Sequence, residues 1–344
     1  MPLSFPYHFA IVMYDENGVE LGTVPVERDW EPALEYARFY YQRKGELSLD
    51  GSRNASVLPL WDSTLGEPYC RGYCVQLVEP GREPSAFDFP RRHFQDFART
   101  VASRYIEQQK LHEGERFAYE IVAHQAPREA ATGGAIQVIE LCAPTPVQEG
   151  SLEEFLARAK PQGESKPVDI PVFVNPEVLE QARLQTRWQE GIETGGILIG
   201  SLWRDKHTRE MFAEVTAQIP AEHTSGTKVK LTFTPQTWAA ADAARKLRGR
   251  GEIYLGYWHS HPVREWCKGK NCTLEAQRGC PFARDFFSPE DQAVMRAAFP
   301  RAWCVGLVAN DTAFTDLTFS MFGNREGTMQ PRGFHILREA NNGT

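Results

Sequence analysis

The sequence lacks an apolar run of the roughly 20 residues that a membrane-spanning helix needs, and Met1–Pro6 is not a charged segment followed by an apolar one. It also lacks a long basic stretch, and its 45 acidic and 38 basic residues give a formal net charge of -7. We therefore predict neither membrane insertion nor binding to nucleic acid, which a basic stripe would indicate. We expect the protein to be cytoplasmic.

Low-complexity segments and internal repeats are lacking too, which argues against a disordered chain or a repeat protein. Of the 344 residues, 42% are hydrophobic and 24% are charged, the composition of an ordinary globular protein. At roughly 150 residues per domain, this length predicts two domains, each large enough to bury a core.

Residues 1–145 predict a small α+β domain. Asn17-Gly18 between two apolar runs favours a β-hairpin, and Asp29 can cap a helix that runs to about Arg43. The remaining predicted elements are a helix around 94–105 and strands at 73–78, 117–123 and 136–141. This order favours a sheet with helices on one face, and we interpret the domain as a binding or positioning module.

Cysteine is scarce, and its seven copies are an odd number in a large chain without a recognisable export signal. A disulfide framework is therefore less expected than unpaired or metal-bound thiols. Cys70 and Cys74 have the spacing of half a metal site, but no second half follows nearby, and structural thiols are the favoured interpretation.

Residues 146–168 are rich in Pro and polar residues and contain one short helix-like stretch from Leu152 to Ala159. This composition is typical of a segment that joins two domains. We therefore predict a linker at 146–168 and a second domain at 169–335.

Two histidines follow a strand-like run in the second domain. Residues 252–259 predict a strand that continues into Ser260-His261-Pro262. Because side chains two residues apart on a strand point to the same side, His259 and His261 would present both imidazoles to one point. This arrangement predicts a metal site, and Pro262 would end the strand.

A helix start at Ser288-Pro289-Glu290-Asp291 offers a third ligand. Ser288 has the features of an N-cap and Pro289 those of a first helical residue, so by themselves Ser288 and Asp291 indicate a capping arrangement. Beside two histidines, the carboxylate of Asp291 would complete a set of three ligands. Such a set leaves a fourth tetrahedral position for water, as catalytic zinc sites require.

These motifs, together with Glu193 upstream, resemble the signature of the JAMM (MPN+, JAB-domain) zinc metalloproteases, which include deubiquitinating enzymes. The resemblance covers roughly residues 169–325. It implies an α/β (α+β) fold in which a central mixed sheet is flanked by helices. It also implies that His259, His261 and Asp291 bind Zn²⁺.

The same resemblance implies roles for two further residues. Glu193 would accept a proton from water and pass it to the leaving amine, and Ser288 would donate its hydroxyl to the oxyanion. Glu252 is the competing base, but it lies seven residues before His259 and would face the opposite side of the strand. Ser260, between the histidines, would face away from them and is not predicted to be a nucleophile. No organic cofactor is predicted.

The chain departs from the resemblance at residues 263–287, an insertion between the two ligand motifs that contains Cys267, Cys272 and Cys280. Three clustered thiols suggest a second, structural zinc, with unliganded thiols, a redox switch or a disulfide as alternatives. The fourth ligand would come from His223, His207 or Cys304, although Cys304 lies in an apolar run. Packing, more than substrate contact, is the favoured use of the insertion's aromatic residues, Trp266, Phe282, Phe286 and Phe287.

The function implied by the resemblance is cleavage of a ubiquitin-like protein from its conjugate or precursor at its C-terminal tail. Bacterial relatives of this type imply E1-like and E2-like enzymes of the same pathway as partners. Two alternatives stay open: a peptidase or amidohydrolase acting on small or sulfur-carrier substrates, and a non-catalytic MPN scaffold.

Overall fold

The computed structural model of the protein describes residues 5–49, 54–64, 68–126, 145–189, 191–221, 233–273, 275–276, 286–312 and 316–338. The chain divides into two compact units, of which the first comprises Met1–Gln42 and Glu46–Pro144 and the second comprises Arg43–Gly45 and Thr145–Thr344. Each unit has its own sheet.

The first unit is an antiparallel sheet with two helices. Its strands pair in the order β2-β1-β6-β4-β3, and β5 pairs with β4. In chain order the elements are β1 Tyr7–Tyr14, β2 Glu20–Pro25, α1 Glu31–Arg43, β3 Asn54–Asp62, β4 Tyr69–Val78, β5 Ser85–Pro90, a 3₁₀ turn at Arg91–Phe94, α2 Gln95–Glu107 and β6 Ala118–Gln125. The predicted α+β character of this region is confirmed.

Local chemistry accounts for the first elements of this unit. Asp15 Oδ1 accepts the backbone N–H groups of Asn17 and Val19 at 2.9 and 2.7 Å, and Gly18 takes a φ of +80° that closes the β1–β2 hairpin. Asp29 Oδ1 accepts the Glu31 N–H at 3.0 Å at the start of α1. The predicted hairpin and helix start are therefore confirmed.

Two strands of this unit were not predicted. β3 contains Pro59, which has no N–H to donate, and the strand accommodates it because β3 lies at the end of the strand order and pairs on one side only. β5 is six residues long, and its alternation of apolar and polar residues is limited to Phe87, Asp88 and Phe89. The strand predicted at 136–141 lies outside the described residues.

The second unit contains a mixed sheet in the order β15-β14-β13-β12-β10-β11-β9-β16-β8, with β7 paired to β10. The elements are β7 Val147–Gly150, α3 Leu152–Ala157, β8 Ala159–Gln162, β9 Val172–Val174, α4 Pro176–Trp188, β10 Gly195–Asp205, β11 Met211–Pro220, α5 Pro235–Arg248, β12 Ile253–His261, α6 Val263–Gly269, α7 Pro289–Ala298, β13 Val305–Asn310, β14 Thr318–Arg325, β15 Thr328–Arg332 and β16 Phe334–Leu337. The predicted mixed sheet with helices is confirmed.

The central strand β12 pairs antiparallel with β10 and parallel with β13. Gly256 allows the close approach to β13, because a Cβ at this position would lie 1.8 Å from the Val305 carbonyl oxygen. Gly256 also has a φ of +136°, which an L side chain rarely adopts. From Leu255 onward every residue of β12 is buried, so its last residues form a rigid base for a site.

Residues 146–168 differ from the predicted linker. β7 pairs with β10, β8 pairs with β16, and Ser151 Oγ caps α3 by accepting the Glu154 N–H at 3.2 Å. The segment therefore belongs to the second unit, although the helix-like stretch within it was predicted. Strands of four residues carry too little hydrophobic pattern to be distinguished from a polar linker.

A buried ion pair fixes the start of the predicted domain to β14. Asp169 accepts hydrogen bonds from Arg325 Nε at 2.6 Å and Nη2 at 2.5 Å, and both residues are less than 9% exposed. Arg332 donates to the Ile170 carbonyl beside them. Among the helices in the described ranges, none combines the length and apolar character needed to cross a membrane.

Candidate metal centre

Two histidines lie at the carboxyl end of β12, between β10 and β13. His259 is opposite Gly195 of β10 and Val308 of β13, which places it inside the sheet. The Nε2 atoms of His259 and His261 are 3.0 Å apart, and the two residues are 1% and 2% exposed. The strand ends at His261, and the two imidazoles converge on one point.

Asp291 supplies a carboxylate from the first turn of α7. Ser288 Oγ accepts the Asp291 N–H at 3.0 Å, and Asp291 Oδ2 accepts the Ser288 N–H at 2.8 Å, so the helix begins with a reciprocal cap. The cap leaves Oδ1 facing His259, whose Nε2 lies 3.4 Å away. The capping role and a ligand role are therefore compatible in the same carboxylate.

The donor set fits a zinc ion. Among the described residues, His259, His261 and Asp291 form the group that could hold a metal, with their ligand atoms within 4.8 Å of one another. Tetrahedral coordination at about 2.0–2.1 Å places ligand atoms about 3.4 Å apart, close to the two distances of 3.0 and 3.4 Å. Two imidazoles and one carboxylate are also a ligand type that catalytic zinc uses.

The pKa values of His261 and Asp291 favour the binding of a cation. Burial, together with a smaller contribution from the neighbouring His259, lowers the pKa of His261 to about 3. Burial opposes ionisation of Asp291, but hydrogen bonds from His259 and Ser288 outweigh it and hold the pKa of this carboxyl well below its usual range. At neutral pH both side chains are therefore in the deprotonated form that binds metals.

Glu193 lies two residues before the start of β10 and is 8% exposed. Burial raises the pKa of its carboxyl to about 7, while interaction with His259 lowers it and interaction with Asp291 raises it. Gly195, two residues further along the chain, is paired with His259, so Glu193 lies at the end of the sheet that carries the histidines. A carboxyl with this pKa can accept a proton and return it near neutral pH.

A pair of hydrogen bonds fixes the segment that carries Glu193. The Thr194 N–H donates to Ser260 Oγ at 3.0 Å, and the Ser260 N–H donates to the Thr194 carbonyl at 2.8 Å. Ser260 is fully buried. Its hydroxyl therefore connects the loop before β10 to the strand between the two histidines, a role that was not predicted from the sequence.

Aromatic rings surround the histidines. Phe286 stacks on His261 with centroids 4.2 Å apart, and the Trp266 ring lies 5.8 Å from the same imidazole. Phe287 stacks on Phe322 of β14 at 4.9 Å and lies 6.0 Å from His259. These three insertion residues pack within the centre, whereas Phe282 lies outside the described residues.

Tyr257 was missed by sequence reasoning. Its hydroxyl donates to Asp291 Oδ1 at 3.1 Å, and its ring stacks on His259 with centroids 5.4 Å apart. Burial raises the pKa of this phenol far above its usual range, and the Asp291 carboxylate adds to the effect. The sequence could have indicated this residue only through its position two residues before His259, which puts it on the same side of the strand as the histidines.

Glu252, the competing base, has a different environment. Its carboxylate accepts Arg248 Nε at 2.7 Å and Nη2 at 2.9 Å, and it also accepts the Thr216 hydroxyl. These contacts attach the end of α5 to the sheet. Glu252 is therefore part of an ion pair at the start of β12, seven residues from His259.

The predicted cysteine site is described only in part. Cys267 is buried in α6, Cys272 is partly exposed, and Cys280 lies outside the described residues, as does His223. His207 lies in the β10–β11 turn, where its N–H donates to Asp205. Cys304 is buried, with Sγ 3.8 Å from the Tyr254 carbonyl. A second zinc at the insertion stays a prediction.

The thiols of the first unit lie within its core. Cys70 Sγ donates to the Gly72 carbonyl at 3.1 Å, and burial raises the pKa of Cys74 to about 11. Thiols held in the protonated form are poor metal ligands. This environment agrees with structural use of both residues.

Comparison with known proteins adds one family match. Residues 175–265 match the model described as prokaryotic homologs of the JAB domain, a range that includes Glu193, His259 and His261 and ends before Ser288. No curated protein matches the chain. Among solved structures, the solution structure of protein DSY2949 from Desulfitobacterium hafniense is 16% identical, with a TM-score of 0.34, and the match covers 49% of this chain and 95% of that one. A TM-score of this size does not establish a shared fold.

A mixed sheet that brings two histidines and an aspartate together defines an α/β unit with a candidate metal centre. The family match at residues 175–265 supports a JAB/MPN-family domain in this unit. The resemblance predicted from the motifs is thereby confirmed.

Proposed function

We propose that the second unit is a zinc-dependent isopeptidase or processing peptidase that releases a ubiquitin-like protein from its conjugate or precursor. One observation carries the proposal: a buried carboxyl, Glu193, lies beside a converging His259, His261 and Asp291 set. A metal centre with a scaffold role has no need of a proton acceptor whose pKa is near 7. E1-like and E2-like enzymes are the partners that this function implies.

The side chains divide the chemistry between them. His259, His261 and Asp291 would hold the zinc ion, which would supply Lewis acidity toward water and the carbonyl group. Glu193 takes the proton from the attacking water and returns it to the nitrogen of the leaving amine. Ser288 accepts the Asp291 N–H through its oxygen, which leaves its own hydrogen for the oxyanion. Loss of such a donor costs on the order of 3 kcal/mol in transition-state stabilisation.

Exposed apolar side chains in the segment that precedes Glu193 favour a protein substrate. Leu184 and Trp188 lie one turn apart near the end of α4 and are 55% and 88% exposed, and Ile192, adjacent to Glu193, is 42% exposed. Large apolar side chains exposed together indicate contact with another protein. β12 is paired on both sides, so an extended substrate tail must bind along another part of the unit.

The decisive experiment compares wild type, Glu193→Gln and Trp188→Ala on fusions of ubiquitin-like proteins, with products identified by mass spectrometry. We expect Glu193→Gln to keep zinc and to lose at least about 100-fold in cleavage rate, because the proton acceptor is gone. We expect Trp188→Ala to raise KM for fusions and to leave hydrolysis of a short peptide amide unchanged.

Equal cleavage by wild type and Glu193→Gln would overturn the assignment of the base. If Trp188→Ala changes the cleavage of neither substrate, and the peptide amide is hydrolysed efficiently, the small-substrate alternative is favoured. Wild-type protein that binds no zinc and cleaves no fusion would favour the scaffold. Glu180→Gln, on the exposed side of α4, serves as the matched control for loss of a carboxylate.

A further inference from the structure

The phenol of Tyr257 lies within the metal centre without being one of its ligands. Its hydroxyl is 3.1 Å from Asp291 Oδ1 and 3.4 Å from the Asp291 carbonyl oxygen. The plane of its ring is 19° from that of the His259 imidazole, at a centroid distance of 5.4 Å. One buried side chain therefore contacts two of the three candidate ligands.

The two oxygens of Asp291 have different donors. Oδ1 accepts the Tyr257 hydroxyl and is the oxygen that faces His259 Nε2, 3.4 Å away. Oδ2 accepts the backbone N–H of Ser288 at 2.8 Å. Rotation of the carboxylate would break both hydrogen bonds, so the pair fixes which oxygen faces the histidines.

Aromatic packing around Tyr257 strengthens this restraint. Its ring stacks on Phe299 at 5.9 Å and meets Phe233 edge-on at 5.6 Å, while Phe287 lies 6.2 Å away. The residue is 2% exposed. In such apolar surroundings a hydrogen bond is stronger than in water, and its loss leaves a buried acceptor without its donor.

We propose that Tyr257 is a positioning residue of the metal centre, whose hydroxyl holds Asp291 so that Oδ1 alone is presented as a ligand. A carboxylate restrained in this way binds through one oxygen and leaves a coordination position for water. The catalytic consequence rests on the proposed function. The effect on metal binding does not, because it follows from the ligand geometry.

The test separates the hydroxyl of Tyr257 from its ring. Tyr257→Phe keeps the stacking on His259 and removes the bond to Asp291. Tyr254→Phe is the matched control, because Tyr254 lies on the same strand and packs against Trp238 and Arg245. The readouts are zinc affinity by competition with a chromophoric chelator, and the visible absorption spectrum of the cobalt-loaded proteins.

We expect Tyr257→Phe to weaken zinc binding about 10- to 100-fold, as loss of partners of metal ligands does, and to change the cobalt spectrum. Tyr254→Phe should leave both unchanged. A zinc affinity within twofold of wild type, together with an unchanged cobalt spectrum, would overturn the proposal, as would wild type that binds neither metal. Wild type that binds zinc but cleaves no fusion would refute the proposed function alone, since the zinc and cobalt results remain decisive for Tyr257.

Discussion

Glu193→Gln in the metal-free protein tests the electrostatics of the site separately from any activity. Glu193 is buried, and its carboxyl is held mainly in the protonated form below pH 7 because burial penalises its charge. Gln has nearly the same shape and no titration. The substitution should therefore remove one pH-dependent contribution to stability and leave the packing nearly intact.

The size and sign of this contribution follow from two pKa values. The pKa of Glu193 is about 7 in the folded protein against an ordinary 4.5. Because the folded value is raised, the contribution is fully present below pH 4.5 and is lost as the pH rises through 7. At about 1.4 kcal/mol per pKa unit, the difference corresponds to about 3 kcal/mol.

His261 acts in the opposite direction. Burial lowers its pKa to about 3 from 6.5, so its contribution is present above pH 6.5 and is lost as the pH falls through 3. The pH profile of wild type alone therefore combines opposing effects. The difference between wild type and Glu193→Gln isolates Glu193, since both proteins contain His261.

The assay is urea denaturation in the presence of a chelator, from about pH 4.5 to about pH 8. We expect the free energy of unfolding of wild type, relative to Glu193→Gln, to fall by about 3 kcal/mol across this range. Glu180→Gln, whose carboxylate is exposed, should show a flat difference from wild type. A flat difference for Glu193→Gln as well would refute the raised pKa, and with it the physical basis for the proposed role of Glu193 as a base.

Three further substitutions test the surroundings of the site. Gly306→Ala would place a Cβ 2.6 Å from the Phe287 ring, and we expect it to destabilise the unit by about 1–3 kcal/mol and to weaken zinc binding. An unchanged zinc affinity in a titration would show that Phe287 does not position α7. Asp169→Asn leaves Arg325 buried without its carboxylate partner, and urea denaturation should show that the free energy of unfolding falls by about 3–5 kcal/mol. A fall of less than about 1 kcal/mol would contradict this reasoning. Cys272→Ser should lower the zinc content by elemental analysis from about two to about one, and wild type with a single zinc would refute the second site.

The fold was predictable where local chemistry decides it. The β1–β2 hairpin follows from Asn17-Gly18, and α7 begins at Ser288 because its cap and Pro289 are contiguous in the chain. Residues 146–168 were wrongly predicted as a linker because β7 and β8 are stabilised by pairing with strands distant in sequence. Short strands of this kind depend on their partners more than on their own pattern.

The ligand set at the candidate metal centre was determined by the sequence alone. The spacing of two along β12 places His259 and His261 on one side, and the helix start presents Asp291, so the three donors could be named without coordinates. The family resemblance added Glu193 and Ser288. For the three ligands to converge, the end of β12 and the start of α7 only had to lie close together.

Only the tertiary structure decided how these groups are held. The Tyr257 hydroxyl reaches Asp291 across 34 residues of sequence, and Ser260 reaches Thr194 across 66. The raised pKa of Glu193 likewise depends on burial, which a residue's neighbours in the chain do not specify. Ligand identity is a property of side-chain chemistry and spacing, whereas hydrogen-bond partners and protonation depend on which distant surfaces pack together.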